Sequence, residues 1–274
     1  MTVMHFERDG RRLQADLADP LPIAIPLDFD GPQATFLDVP QASSRPVRVG
    51  SFVGDTRQGG SCNCEGLSLL PHCNGTHTEC VGHLTDERVS VSETLRGGMH
   101  LTLLLSVRPV RPESTAEGSD PEPVDGDLLV TAEALGKAAA AHLAMSPQAV
   151  VVRTLPNSVE RMSRRYTGAS PAPFLSREAA EWLVAQDVRH LVLDLPSADR
   201  ASDAGRMTAH RVFFGLPAGS RRLATAGRPQ STITELAFVA PTIHDGWYLL
   251  DLQVPAFLSD AAPSRPLLYP VRFT

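Results

Sequence analysis

From His72 the sequence reads His72-Cys73-Asn74-Gly75-Thr76-His77-Thr78-Glu79-Cys80-Val81-Gly82-His83, placing three imidazoles, one carboxylate and two thiols within twelve positions. These are the side chains that bind zinc, manganese or a similar divalent ion. If the chain is extended after Gly75, His77 and Glu79 project from one face, because side chains two apart in a strand do so. Glu79 can then bridge two metals. His83, six residues beyond His77, returns to that side if the chain continues extended, although Gly82 leaves the local path open. The four cysteines, Cys62, Cys64, Cys73 and Cys80, are too few and too clustered for a disulfide framework in 274 residues. A structural zinc site is a weak alternative, since Cys-x-Cys followed by Cys-x6-Cys lacks paired Cys-x-x-Cys knuckles. Inert buried thiols are the plain reading.

Elements must position these groups. β-Branched and aromatic residues between turn formers predict short strands over Ala34 to Val39 and Val47 to Val53, with others at Leu67 to Leu70 and His100 to Val107. A helix is expected from Thr131 to Leu143, with Thr131 as N-cap, Glu133 in its first turn and an alanine-rich body. Ala149 to Arg153 reads as a buried strand. Ser176 caps a second helix, Arg177 to Gln186, whose Ala179, Trp182 and Leu183 share a face. A strand from His190 to Leu195 follows, ending in Asp194-Leu-Pro-Ser-Ala-Asp199. Strand, helix and strand in that spacing give a βαβ unit, with functional loops at the carboxyl edge of its sheet. Val212 to Phe214, Ile233 to Val239, Tyr248 to Val254 and Leu267 to Phe273 read mainly as strands between Gly- and Pro-containing turns.

Three segments read as irregular. Residues 1–33 form an extended N-terminal arm, because Pro20, Pro22 and Pro26 disfavour helix between Asp16 and Asp28; such an arm could meet a neighbouring subunit. Residues 112–127 carry six acidic groups, three prolines and no Lys or Arg, which predicts a solvated acidic loop. Residues 217–229 form a loop with Arg221, Arg222 and Arg228, a solvated basic segment or a mouth that attracts an anionic substrate. One mixed α/β domain is preferred over two. The formal net charge of −6 argues against nucleic acid, and no apolar run is long enough to span a bilayer, so a soluble cytoplasmic protein is expected.

The motifs carry a resemblance. Gly75-Thr76-His77-x-Glu79-x-x-x-His83 resembles the His-x-Gly-Thr-His-x-Asp-x-Pro-x-His signature of the putative cyclase family, which includes bacterial kynurenine formamidase and isatin hydrolase. Phe174-Leu-Ser-Arg-Glu-Ala-Ala-Glu-Trp-Leu and the strand ending at Asp199 are similar to the family's helix and Asp-x-Pro-Ser-x-Asp strand end. Thr208-Ala-His210 followed by Glu235-Leu236 is similar to the distant His and Glu of its metal site. The resemblance implies an α/β fold of the swivelling β/β/α type, assembly as a homodimer or homotetramer, and a divalent-metal hydrolase that opens a small N-acyl or cyclic amide. It matches His77, Glu79, His210 and Glu235 to metal ligands and His83 to the general acid/base. The cofactor would be one or two ions of zinc or manganese.

The departures define the alternatives. His72 and His77 are five apart where the family has four, and Cys73 occupies the expected position. Either His72 reaches by a bulge, or Cys73 supplies a thiolate, or that ligand is missing. Glu79 replaces an Asp and adds a methylene. A relative so altered could instead serve as a small-molecule binding or structural protein with little or no metal. A redox-responsive use of the thiols is a third reading. Asp194 and Asp199 could orient ligands or belong to ordinary turns, and His142, His190, His244 and Asp245 read as structural.

Overall fold

A computed structural model of the chain describes residues 2–142, 145–167 and 171–274. Its main sheet has eleven strands: β1 (Val3–Arg8), β2 (Arg11–Asp16), β3 (Leu21–Pro22), β4 (His77–Cys80), β5 (Met99–Val107), β6 (Ala149–Thr154), β7 (His190–Leu193), β8 (Thr232–Glu235), β9 (Gly246–Asp251), β10 (Ala261–Pro263) and β11 (Leu267–Phe273). They lie in the order β1-β2-β11-β9-β5-β6-β7-β8-β4-β10, with β3 against β11. β5, β6, β7 and β8 run parallel, and the flanking strands are antiparallel. Among the described residues, besides a single α-helical turn at Val91–Thr94, the helices are α1 (Ala132–Ala139), α2 (Arg177–Ala185) and α3 (Thr208–Phe214). This is a mixed α/β domain with a large sheet and few helices.

The central strands are apolar on both faces, which is why they read as continuous runs in the sequence. Leu103 and Leu105, Val150 and Val152, and Leu191 and Leu193 pack beneath the helices with Leu135, Leu183 and Phe213. The alternate residues Leu104, Val151 and Val192 face the other way, where Ile23, Val239, Leu250 and Leu268 cover them. Period-two alternation therefore supplies two cores from one sheet.

Local chemistry sets the boundaries. The Thr131 hydroxyl accepts from the Ala134 amide and the Ser176 hydroxyl from the Ala179 amide, capping α1 and α2 as expected. α1 ends at Ala139, short of the expected boundary, and Leu143 lies outside the described residues. The two strands expected between Ala34 and Val53 are shorter pieces: Thr35–Phe36, Ser43–Pro46, Arg48–Val49 and Phe52–Val53. The strand expected at Leu67 to Leu70 is Glu65–Ser68, paired with Ser43–Pro46 in an exposed ribbon apart from the main sheet.

Four further expectations need correction. Val212 to Phe214 is not a strand but the end of α3, because the Asp199 carboxylate accepts the amides of Ala209 and His210 and starts a helix there. Residues 1–33 are not one extended arm: β1 and β2 fold back as a hairpin and continue the sheet from β11. The segment after them stays extended and buries Ile23 and Ile25. The acidic loop is held down rather than solvated throughout. Glu117 accepts the amides of Ala132 and Glu133 at the start of α1, and buried Asp127 pairs with Arg200 at 3.1 Å. In the basic loop, Arg228 lies over the Phe213 ring at 5.5 Å and donates to the Val184 and Val188 carbonyls, so it stabilises the fold. Arg221 and Arg222 are exposed. No helix among the described residues is long and apolar enough to cross a membrane.

Candidate metal centre

The metal-binding side-chain types gather where β4 lies between β8 and β10. Register does the first part of the work: His77 stands directly opposite Glu235, and Glu79 opposite Ile233. His77 and Glu79 therefore share a face, while Thr78 points the other way and bonds the Thr234 hydroxyl at 2.7 Å. Gly75, at φ 75°, turns the chain into β4, and its carbonyl lies 3.1 Å from His77 Nδ1. That contact fixes Nδ1 as the protonated nitrogen and leaves the Nε2 lone pair facing the centre. Thr76 anchors the same turn, its hydroxyl accepting from the Ile25 amide at 2.8 Å and donating to the Leu236 carbonyl at 2.5 Å.

His83 arrives by a different path from the extended one expected. A 3-10 turn over Val81–His83 bends the chain back, so that His83 Nε2 lies 4.0 Å from Glu79 and its ring stacks on His72 at 4.1 Å. α3 brings in His210, whose Nδ1 lies 2.6 Å from Asp199 and whose Nε2 lies 2.7 Å from Glu79 Oε1 and 3.6 Å from Glu235. Glu235 is held in turn by the Ala198 amide at 2.6 Å. His72 stands with Nδ1 2.8 Å from Glu79 Oε2. It also meets a residue the sequence reading did not single out: Asp260, just before β10, takes His72 Nε2 at 2.8 Å and stands 3.4 Å from His83 Nδ1.

Among the described residues, three groups have ligand atoms within 4.8 Å of one another: His72, His77 and Glu79; His72, His83 and Asp260; and Glu79, His83 and His210. Glu235 and the half-buried Cys73 belong to none of them, but Glu235 still faces the cluster at 3.4 Å from His77 and 3.6 Å from His210. Burial, helped by the charge of Glu235, pushes the Cys73 thiol pKa up. Cys80 is buried with its thiol raised to about 11, mainly by burial, and Cys62 and Cys64 are exposed. Asp199 had a sequence signal in the Asp-x-Pro-Ser-x-Asp strand end. Asp194, at the other end of that motif, is structural: it accepts from Arg161 at 2.6 Å and from Thr154. His244-Asp245 is a turn, with Asp245 bonded to Arg153 and Ser106.

Four buried atoms at the centre, His77 Nε2, both Glu79 oxygens and His210 Nε2, have no partner in hydrogen-bond geometry. Such groups are costly to bury unless something satisfies them. Two ligands each about 2.0–2.1 Å from one ion stand roughly 2.8–3.4 Å apart. The separations of 2.7, 2.8, 3.4 and 3.6 Å among His210, His72, His77, Glu79 and Glu235 are of that size. The residues thus fit a divalent cation.

The charges are mutually supporting. Burial alone would raise the Glu79 pKa, but the His83 and His210 imidazoles beside it hold it well below the usual carboxylate range. Burial would lower His210, and Glu79 and Asp199 overcome this to raise it well above 6.5. Burial opposes charge on His72 too, yet Asp260 and Glu79 bring it to about 10. Next to the cluster, a cleft of about 660 Å³ opens onto His83 and Asp260, lined also by Asp86, Arg88, Ser90 and Glu93.

The family model described as "Putative cyclase" matches residues 16–200. Isatin hydrolase A from Labrenzia aggregata, bound to benzyl benzoate, superposes with a TM-score of 0.61 at 14% identity, over 92% of this chain and 93% of that one. A predicted metal-dependent hydrolase from Bacillus stearothermophilus has a TM-score of 0.55 at 15% identity, over 92% and 98% of the two chains. A potential metal-dependent hydrolase with cyclase activity has a TM-score of 0.56 at 15% identity, again over 92% and 98%. At these identities the likeness is one of fold. No curated protein sequence matches the chain.

Proposed function

Because this chain belongs to the putative cyclase family, we propose that it is a metal-dependent hydrolase of a small N-acyl or cyclic amide. The observation that carries this reading is the set of buried, unpartnered His77, Glu79 and His210 atoms facing one another across the sheet edge. His77, His210, Glu79 and Glu235 would hold the ion, with His72 Nδ1 beside Glu79. Imidazole and carboxylate donors suit zinc and manganese alike. Such an ion, when bound, lowers the pKa of water toward neutrality and polarises a carbonyl oxygen.

The chain's own groups supply the rest. His83 stands at the cleft with its side chain 27% exposed, within reach of a small amide. Its imidazole is the group that takes a proton from the attacking water and gives one to the leaving nitrogen. Asp199 accepts from His210 Nδ1, which would leave the Nε2 lone pair to a cation held beside Glu79. Assembly into a homodimer or homotetramer is part of the same proposal, and light scattering on the purified protein checks it.

Metal content per chain, measured by elemental analysis on protein prepared without a histidine tag or chelator, tests the reading. One or two equivalents of zinc or manganese are expected, lost in His77→Ala and in Glu235→Ala together with turnover of formamides, lactams or isatin-like cyclic amides. His83→Ala is expected to retain the metal and lose about 100-fold or more in rate. No metal after incubation with either ion would leave a binding or structural role on the family's fold.

A further inference from the structure

Asp260 lies beyond the segment that matches the family, on the loop leading into β10. Its backbone carbonyl accepts the Cys80 amide at 3.0 Å, which ties it to the end of β4. The side chain then meets His72 at 2.8 Å, across 188 residues of sequence, in true hydrogen-bond geometry. The other His72 nitrogen, Nδ1, lies equally close to Glu79 Oε2, yet that oxygen has no partner in hydrogen-bond geometry. Both ring nitrogens thus stand 2.8 Å from a carboxylate oxygen; with a cation held beside Glu79, Nε2–H would go on donating to Asp260 and leave the Nδ1 lone pair to the ion.

We propose that Asp260 is a positioning residue that holds the irregularly spaced His72 with Nδ1 aimed at the cation carried by Glu79. This rests on the metal-dependent reading above. A histidine ligand ordinarily donates its second ring N–H to a carboxylate or carbonyl, which fixes the tautomer and the ring plane. His77 does so to Gly75 and His210 to Asp199. His72, one residue out of the usual spacing and with its side chain 29% exposed, needs the same restraint from outside the motif. Asp260 provides it, and by standing 3.4 Å from His83 Nδ1 it also orients that ring toward Glu79.

The test is zinc affinity of the full chain, measured by competition with a chromogenic chelator, with unfolding curves as a control for fold. Asp260→Ala should weaken zinc about 10- to 100-fold, a loss of the size expected for removing such a partner. In a His72→Ala background it should cost nothing further, because the carboxylate acts through that ring. Asp260→Asn, which keeps an acceptor oxygen and the side-chain shape, should recover most of the affinity and carries the test if the alanine variant fails to fold. Nitrogen-15 NMR of the zinc-loaded protein should show His72 protonated at Nε2, and that signature should be lost in Asp260→Ala. Wild-type affinity in Asp260→Ala, or losses that simply add with His72→Ala, would overturn the proposal. So would the loss of one ion with the affinity of another unchanged, which would make Asp260 a ligand. A wild-type chain that binds no zinc or manganese would remove the metal reading itself, and this inference with it.

Discussion

At the scale of single residues, the centre combines groups that the sequence announces with groups that it conceals. His77, Glu79 and His83 stand in one motif, and His210 and Glu235 follow a recognisable pattern, so these positions were legible. Asp199 was visible in its strand-end motif, but an Asp beside Pro and Ser is equally ordinary in a turn. Only the 2.6 Å contact to His210 Nδ1 separates the two readings. Asp260 had no signal, since a lone Asp before a short strand resembles many others. The choice between His72 and Cys73 was likewise beyond spacing. The fold turns His72 inward and leaves the Cys73 sulfur outside the ligand groups. Asp199 also accepts the Ala209 and His210 amides. Asp199→Asn should therefore weaken the zinc affinity about 10- to 100-fold and also lower stability by about 1–3 kcal/mol. Chelator competition and urea unfolding measure the two effects separately, and loss of stability with unchanged affinity would refute the orienting role.

Elements were legible wherever a cap or a long apolar run marked them. Ser176, Thr131 and the strands β5, β6 and β11 were read close to their true extent. α3 was missed in part because Val212-Phe-Phe favours strand by residue type, whereas the carboxylate that nucleates the helix lies nine residues before it at Asp199. The 3-10 turn at Val81–His83 was missed for a similar reason: its necessity comes from a neighbour. A Cβ on Gly82 would lie 2.4 Å from the Val89 carbonyl and 3.2 Å from Asp260 Cβ. Gly82→Ala should accordingly cost about 1–3 kcal/mol through a backbone shift and weaken cation binding, because His83 and Asp260 move with that backbone. Ser176→Ala is the contrasting case. Loss of the α2 cap should cost about 1 kcal/mol and leave metal content unchanged, as elemental analysis would show.

On the scale of the whole molecule, the sheet carries a second histidine pair outside the metal cluster, two strands across from Cys80. His100 and His190 face each other at 4.1 Å, and the His190 Nδ1 bonds the Thr232 hydroxyl at 2.9 Å. Burial first, then His100 and Arg189, lower the His190 pKa from 6.5 to about 3. The native state keeps this ring neutral, while the unfolded chain takes up a proton below 6.5, so stability is lost as pH falls from 6.5 toward 3. By pH 5 the contribution amounts to about 2 kcal/mol. His190→Gln should flatten this part of the profile, and urea midpoints for both proteins at pH 7 and pH 5 measure it. An equal pH slope in the variant would show that His190 is not the group responsible. The order of the strands has a consequence for how the protein is made. β4 carries His77 and Glu79 from the first third of the chain, yet both of its sheet neighbours, β8 and β10, come from the last fifth. As the ribosome synthesises the chain from its N-terminus, β4 emerges with neither edge paired and must wait until β8 and β10 follow. Ion uptake belongs after β8 and β10 have emerged and paired, and until then this strand is a segment for a chaperone to shield.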